Sequence, residues 1–157
     1  MKRDVPGWDE YFMKIAELVK TRSKDRSTQV GAVIVREHRI ISTGYNSFPA
    51  GLNDDVNSRH ERPAKYMWTE HAERNAIYSA ARHGIRLIGS SMYVTGGGIA
   101  CAECARAISL AGISEAIGME GKFEGAGPWA ESCKVGEELL READVKLVFL
   151  NDKYERS

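Results

Sequence analysis

Residues 30–45 carry the sequence VGAVIVREHRIISTGY, in which two apolar, β-branched runs flank a short polar break. Such runs are typical of strands, and a break of two residues is typical of a tight hairpin. We therefore predict a strand over residues 30–36, a turn at Glu37 and His38, and a second strand over residues 39–45. This hairpin gives the sheet at least one antiparallel pair of strands.

Helical and extended patterns alternate on both sides of the hairpin. Upstream, apolar residues recur at spacings of three and four, which predicts an amphipathic helix over residues 8–22. Downstream, helices and strands are predicted in alternation: helices over residues 69–83, 101–111 and 131–142, and strands over residues 91–95, 115–119 and 145–150. Strands that alternate with helices favour the α/β class. The predicted fold is a three-layer α/β/α sandwich with a mixed five-stranded sheet.

Local residue types mark the boundaries of these elements. Residues 46–69 are rich in Asn, Gly, Pro, Asp and Arg without a clear period, so we predict a long loop there. Thr69 is predicted to cap the next helix, and Gly84 is predicted to end it. The polar residues after Leu150 are expected to fray.

Length and composition restrict the classes of function. A chain of 157 residues fits one domain, which we expect to span residues 1–157. Lys plus Arg and Asp plus Glu both number 22, and this zero net charge argues against a general nucleic-acid or anionic-membrane binder. No apolar run is long enough for a membrane span, and the opening MKRDVPGWDE lacks an apolar signal region. We expect a cytoplasmic protein whose three cysteines serve metal binding or catalysis rather than disulfides.

Metal-binding side chains lie at the starts of two predicted helices. His71 begins one of them, and Cys101 and Cys104 form a C-x-x-C motif at the start of the next. An imidazole nitrogen and two thiolates are a natural zinc set, and three protein ligands leave open the fourth position that a catalytic zinc needs. We predict one zinc ion per chain. Glu73, two residues after His71, is the candidate proton carrier beside it.

Each part of this motif has an ordinary structural explanation when taken alone. A single C-x-x-C can be a redox pair or a chance occurrence, and a single helical His is usually structural. A structural zinc site normally has four protein ligands. The remaining candidates for a fourth ligand do not lie at a matching spacing: Cys133, His38, His60 and His83. The combination therefore favours catalytic zinc, and Cys133 is expected to be an inert, partly buried thiol.

The pattern H-x-E followed by C-x-x-C is typical of zinc deaminases, although Ala100 stands where their signature has proline. With the segments WDEYFMKIAELVKTRSKDRSTQVGAVIV, RIISTGYNSFP, HAERNAI and CAECARAI, the chain resembles the cytidine and deoxycytidylate deaminase superfamily from about Trp8 to about Phe149. The RSKD and GYN segments make it most similar to the deoxycytidylate deaminases. The resemblance implies a cytidine deaminase-like fold and hydrolysis of dCMP to dUMP and ammonia, with Glu73 protonating N3 and then the leaving amine.

The same resemblance implies which residues hold the substrate. Asn46 matches the asparagine that contacts the nucleoside, and the backbone near Ala72 is expected to read the base edge. Arg22 and Ser23 lie where the family gathers groups near the substrate phosphate, and a guanidinium suits a phosphate dianion. A solvated helix end is an almost equally good interpretation of Arg22.

Two aromatic residues, Tyr66 and Trp68, precede the predicted zinc helix. The resemblance places them where they can wall the substrate pocket. Ordinary core packing is an equally good interpretation of both side chains.

Other functions compete with dCMP deamination. One is deamination of another nucleobase, nucleoside or nucleotide, including a purine, and another is a non-catalytic zinc-stabilised interaction module. Deamination of nucleic acid is a further alternative, although zero net charge argues against a long nucleic-acid footprint. Glu73 argues against the interaction module, because a purely structural zinc site has no use for a proton carrier. The resemblance implies a small-molecule nucleotide substrate and a homo-oligomer with sites near subunit boundaries.

Overall fold

The computed structural model describes residues 3–96, 98–121 and 128–157. Its helices and strands, in chain order, are α1 (Trp8–Lys20), β1 (Gly31–Arg36), β2 (Arg39–Tyr45), α2 (Lys65–Trp68), α3 (Ala72–Arg82), β3 (Ser91–Val94), α4 (Ala102–Leu110), β4 (Glu115–Met119), α5 (Pro128–Glu142) and β5 (Lys146–Leu150). A short 3-10 helix spans Asn57–Arg59. Within the described ranges, no helix combines the length and apolar character that crossing a membrane requires.

The five strands form one mixed sheet in the order β2-β1-β3-β4-β5. β1 pairs antiparallel with β2 and with β3, whereas β3, β4 and β5 run parallel. Glu37 and His38, between β1 and β2, both have positive φ, as a tight hairpin turn requires. The predicted mixed five-stranded sheet and its opening hairpin are confirmed.

Helices cover both faces of the sheet. On one face, α1 buries Phe12 and Ala16 in a cluster with residues of the strands. On the other face, α3, α4 and α5 contribute Ala76, Ile108 and Leu140 to a second buried cluster. The predicted three-layer α/β/α sandwich is therefore confirmed, with α1 in one outer layer and α3, α4 and α5 in the other.

Gly44 of β2 allows α3 to approach the sheet closely. A Cβ atom at this position would overlap backbone atoms of Ala72 and Ala76 in α3. Because α3 begins directly after His71, the missing side chain helps to set the position of that residue relative to the sheet.

Two predictions for residues 46–69 are wrong. This segment contains the 3-10 helix and α2 rather than a continuous loop. Thr69 does not cap α3, because it ends α2 in an extended conformation and His71 is the N-cap residue. The physical reason is a long-range contact: Glu70 and Ser47 exchange backbone hydrogen bonds of 2.8 and 3.1 Å, which keeps the chain extended before α3. The predicted helix end at Gly84 is confirmed by its φ of 67°.

The expectation that the chain frays after Leu150 is also wrong. Leu150 and Arg156 form an isolated antiparallel bridge. The Arg156 guanidinium donates to the Asp9 carboxylate at 2.6 and 2.9 Å and to Glu115 at 2.8 Å. The carboxylates of α1 and β4 thus hold the last residues against the sheet.

Candidate active site

The two helices that carry the candidate metal ligands begin close together. His71 is the N-cap residue of α3 and Cys101 is the N-cap residue of α4. Both residues have extended backbone conformations, so each side chain lies at the positive end of its helix. A helix N-terminus favours the thiolate form of cysteine, which is the form that binds metal.

His71, Cys101 and Cys104 meet in one cluster. The His71 Nδ1 atom lies 3.5 Å from the Cys101 Sγ atom and 3.3 Å from the Cys104 Sγ atom. All three ligand atoms lie within 4.8 Å of one another. One imidazole nitrogen and two thiolates fit zinc, and a set of three protein ligands fits a catalytic rather than a structural zinc. In the part of the chain that the structure describes, Cys133 is not part of this cluster.

The cluster couples the ionisation of its three members. A hydrogen bond from Cys104 lowers the pKa of Cys101 to about 3, against the effect of burial, and His71 adds to this shift. The bond to Cys101 and burial both raise the pKa of Cys104. The hydrogen bond to Cys101 raises the pKa of His71. Metal binding to such a set releases protons, because the ligands bind in their deprotonated forms.

Glu73 lies in the first turn of α3 and is 7% exposed. Burial raises the pKa of its carboxyl, and the nearby His71 opposes this shift. Burial thus favours proton uptake by this carboxyl, as a role in general acid–base catalysis requires. Ala72, between His71 and Glu73, is fully buried, and its expected contact with a base edge stays a prediction.

An ion-pair network joins the starts of the two helices. Arg74 contacts Glu70 at 2.6 Å and Glu103 of α4 at 2.8 Å. Glu70 in turn accepts a hydrogen bond of 2.8 Å from the backbone N–H of His71. Sequence reasoning missed this network. The spacing of four between Glu70 and Arg74 indicates their pair, but the pairing with Glu103 depends on the fold.

The first half of α5 packs over the cluster. The ring centre of Trp129 lies 5.3 Å from that of His71. Tyr66, which is 48% exposed, lies 6.2 Å from Trp129, so it belongs to the aromatic wall beside the cluster and not to the core. A Cβ atom at Gly136 would overlap the carbonyl oxygen of Ala100. Sequence reasoning missed Trp129, because no motif spacing links α5 to the metal ligands.

Trp68 belongs to a different aromatic group. The Arg59 guanidinium lies 4.0 Å from its ring centre, and Phe48 lies 6.3 Å from it. Phe48 stacks on His60 at 4.7 Å, and both residues line a cavity of about 460 Å³. Trp68 therefore packs next to the wall of this cavity and is separate from the Tyr66–Trp129 pair.

The cavity lies between the loop that follows α1 and the residues that follow β2. Arg22, Lys24, Asn46 and Asn75 are among the residues that line it. Neither the metal-ligand cluster nor Glu73 lines it. Of the predicted substrate residues, Arg22 and Asn46 therefore share one cavity. Ala72 lies next to His71 in the chain, and Tyr66 packs against Trp129, which in turn lies next to His71.

Asn46 and Ser23 attach the loop between α1 and β1 to the sheet. The side-chain oxygen of Asn46 accepts a hydrogen bond of 2.8 Å from the Val30 N–H, and its amide nitrogen donates to the Thr28 carbonyl at 2.8 Å. The Ser23 hydroxyl donates to the Asn46 carbonyl at 2.8 Å and accepts from the Asp25 N–H at 3.2 Å. Their expected contacts with substrate stay predictions. Among the residues that the structure describes, the Asn46 amide nitrogen donates one of its two N–H groups, to Thr28.

The sandwich, with His and two Cys at the starts of neighbouring helices and a buried Glu beside them, defines a zinc deaminase domain. The family model described as "Cytidine and deoxycytidylate deaminase zinc-binding region" matches residues 6–120, and the chain belongs to this family.

Relatives within the family cover most of the chain. The "Uncharacterized deaminase in luxG 3'region" of Aliivibrio fischeri is 39% identical over 146 residues, which cover 93% of this chain and 95% of that protein. The deoxycytidylate deaminase of Homo sapiens is 43% identical over 126 residues, which cover 76% of this chain and 68% of that protein. The solved structure of the dCMP deaminase from the cyanophage S-TIM5 in complex with dCMP and dUMP is similar in fold, with a TM-score of 0.71, 24% identity and coverage of 92% of this chain and 98% of that chain.

Proposed function

We propose that the chain catalyses the zinc-dependent hydrolytic deamination of dCMP to dUMP and ammonia. The observation that carries this proposal is the meeting of His71, Cys101 and Cys104 beside a buried Glu73. The 43% identity to the deoxycytidylate deaminase of Homo sapiens supports dCMP as the substrate.

The reaction requires protons to move from water to the base. The bond between C4 and the exocyclic nitrogen of cytosine breaks, and a bond between C4 and a water oxygen forms. Glu73 takes one proton from the water and delivers it to N3. It then transfers the second water proton to the amine, which leaves as ammonia. The carboxylate is restored, and its burial beside the metal ligands places it for both transfers.

The cluster residues prepare the site for this transfer. In this proposal His71, Cys101 and Cys104 hold one zinc ion per chain, and zinc there supplies Lewis-acid activation of the water. Glu70 and Arg74 fix the backbone at His71 and the start of α4, so the ligands and Glu73 keep their relative positions.

Arg22 is the proposed contact for the 5′-phosphate. Lys24, in the same loop, already pairs with Asp54 at 2.8 Å and with Asp55 at 3.7 Å. Among the residues that the structure describes, the Arg22 side chain has no such partner, and it lines the cavity. An unpaired guanidinium at a cavity is suited to binding a phosphate dianion.

A substrate panel tests the proposal. Zinc-loaded protein is incubated with dCMP, deoxycytidine, cytidine, guanine and adenosine, and ammonia release is measured before and after chelation. We expect the fastest release from dCMP and its loss on chelation. Faster release from a purine compound would contradict the substrate assignment. No release from any compound at full zinc occupancy would support the non-catalytic interaction module.

We also propose that residues 1–157 form a single domain that assembles into a homo-oligomer. Met67 and Leu110 are each 88% exposed, and apolar side chains of this size are commonly covered by protein contacts. Light scattering is expected to give a mass that is a multiple of the chain mass, and the mass of a single chain would contradict the oligomer. The cytoplasmic location and the lack of a nucleic-acid or membrane partner stay predictions.

A further inference from the structure

A buried ion pair lies at the edge of the cavity that Arg22 lines. The Lys65 Nζ atom lies 2.9 and 3.2 Å from the two carboxylate oxygens of Asp25. The two side chains are only 10% and 9% exposed, which makes this the most buried ion pair in the described parts of the chain. Lys65 also donates to the Ser27 hydroxyl at 2.7 Å.

Asp25 organises the loop between α1 and β1. One of its carboxylate oxygens accepts hydrogen bonds from the backbone N–H groups of Ser27 at 2.9 Å and Thr28 at 3.0 Å. Burial acts to raise the pKa of Asp25, but the bonds from Ser27, Lys65 and Thr28 outweigh it and lower the pKa to about 2. The carboxylate is therefore ionised at neutral pH, and the loop is closed around it.

The loop is attached to the rest of the protein at two places. Asn46 holds its flanks through Ser23 and Thr28. Lys65, which begins α2, holds its tip. The second attachment links the loop that carries Arg22 to the segment that leads through α2 to His71.

Stability alone gives a weak reason for burying this pair. Removing two charges from water costs free energy, and apolar residues of similar volume often replace a buried ion pair without loss of stability. A charged pair with several hydrogen bonds does, however, fix the direction of the chain at that point. Its position suits a geometric role, since Arg22 and Asp25 line the same cavity.

We infer that the Asp25–Lys65 pair positions the loop that carries Arg22 for phosphate binding and thereby sets the preference for a nucleotide over a nucleoside. The inference rests on the proposed function. Asp25 and Lys65 are positioning residues, because they act through Arg22 and not on the reacting atoms.

Lys65→Met tests the inference, because it keeps the length of the side chain and removes the charge. We expect the KM for dCMP to rise by about tenfold, the size expected when one charged hydrogen bond to the phosphate is weakened. The kcat for dCMP, the zinc content and kcat/KM for deoxycytidine are expected to stay unchanged. Lys65→Arg keeps the charge and should restore most of the affinity for dCMP.

Arg156→Met is the matched control, since it removes the ion pair with Asp9, and neither of these two residues lines the cavity. It should leave the preference for dCMP over deoxycytidine unchanged. If Lys65→Met fails to fold, Ser27→Ala removes one Lys65 contact and should raise the KM for dCMP by a smaller factor. An unchanged KM for dCMP, or equal losses for dCMP and deoxycytidine, in the folded variant would overturn the inference. A wild-type protein inactive on dCMP would instead overturn the proposed function.

Discussion

Glu73 and Glu103 show how burial separates residues that look alike in sequence. They follow His71 and Cys101 at the same spacing, in the tripeptides HAE and CAE. Glu73 is 7% exposed and lies beside the metal ligands, whereas Glu103 is exposed and pairs with Arg74 at 2.8 Å. The environment of Glu73 is the one that suits proton transfer.

The three cysteines also differ in their surroundings: Cys101 and Cys104 are buried in the metal-ligand cluster, whereas Cys133 is only partly buried and lies outside it. Replacing each cysteine therefore tests the ligand set. Cys101→Ser and Cys104→Ser each replace a thiolate by a neutral hydroxyl, so zinc content should fall well below about one per chain. The melting temperature should fall as well, because the remaining ligands lose a shared cation. Cys133→Ser is the control, and it should keep its zinc. Full zinc occupancy in both ligand variants, measured by metal analysis, would remove these residues from the ligand set.

At the scale of elements, the candidate functional residues lie at helix starts and in a loop beside the sheet. The starts of α3 and α4 bring the metal ligands together. The loop after α1 contributes Arg22 to a separate cavity, which the metal ligands do not line. In the proposed function, the base and the phosphate are bound by different elements, so mutations can separate the two.

Arg22→Ala tests this division. If Arg22 contacts the phosphate, the KM for dCMP should rise by about tenfold or more, while the KM for deoxycytidine changes little. Arg26→Ala is the matched control, because Arg26 lies in the same loop but contacts Asn57 and does not line the cavity. Equal effects of Arg22→Ala on both substrates, in steady-state kinetics, would show that Arg22 does not bind phosphate.

At the scale of the whole molecule, the sequence predicts what depends on local patterns. The hairpin follows from β-branched runs around Glu37 and His38, and the alternation of helices and strands follows from hydrophobic period. The candidate ligands could be named because H-x-E and C-x-x-C are short motifs at predicted helix starts.

Features that depend on distant contacts could not be predicted. The extended chain at Glu70 requires its bridge to Ser47, and the docking of the last residues requires the contact of Arg156 with Asp9. Trp129 lies 5.3 Å from His71 only because the fold brings the start of α5 next to the start of α3. In each case the two partners are far apart in the sequence, so no local hydrophobic pattern or motif spacing indicates their contact.

The stability of the whole molecule should depend on pH through Asp25. The pKa of Asp25 is about 2 in the folded protein, against 3.8 for an ordinary aspartate such as that of the unfolded chain. The stabilisation by the Asp25 carboxylate is therefore fully present above about pH 4 and is lost as the pH falls through about 2. The difference in unfolding free energy between wild type and Asp25→Asn should therefore be largest at neutral pH and shrink in acid. Urea unfolding at several pH values measures it, with Asp152→Asn as a control for net charge. A difference that is constant with pH would contradict the assignment.

The most direct test of the zinc deaminase mechanism is one set of measurements on Glu73→Gln: zinc content, dCMP affinity and kcat. Glutamine keeps the shape of the side chain but cannot carry a proton, so zinc and dCMP should still bind while kcat falls by roughly two to four orders of magnitude. Glu103→Gln is the matched control at the equivalent position of α4. It keeps an oxygen that can accept a hydrogen bond from Arg74, so it should keep its zinc and most of its activity. Retained zinc together with a kcat near that of the wild type in Glu73→Gln would contradict the mechanism.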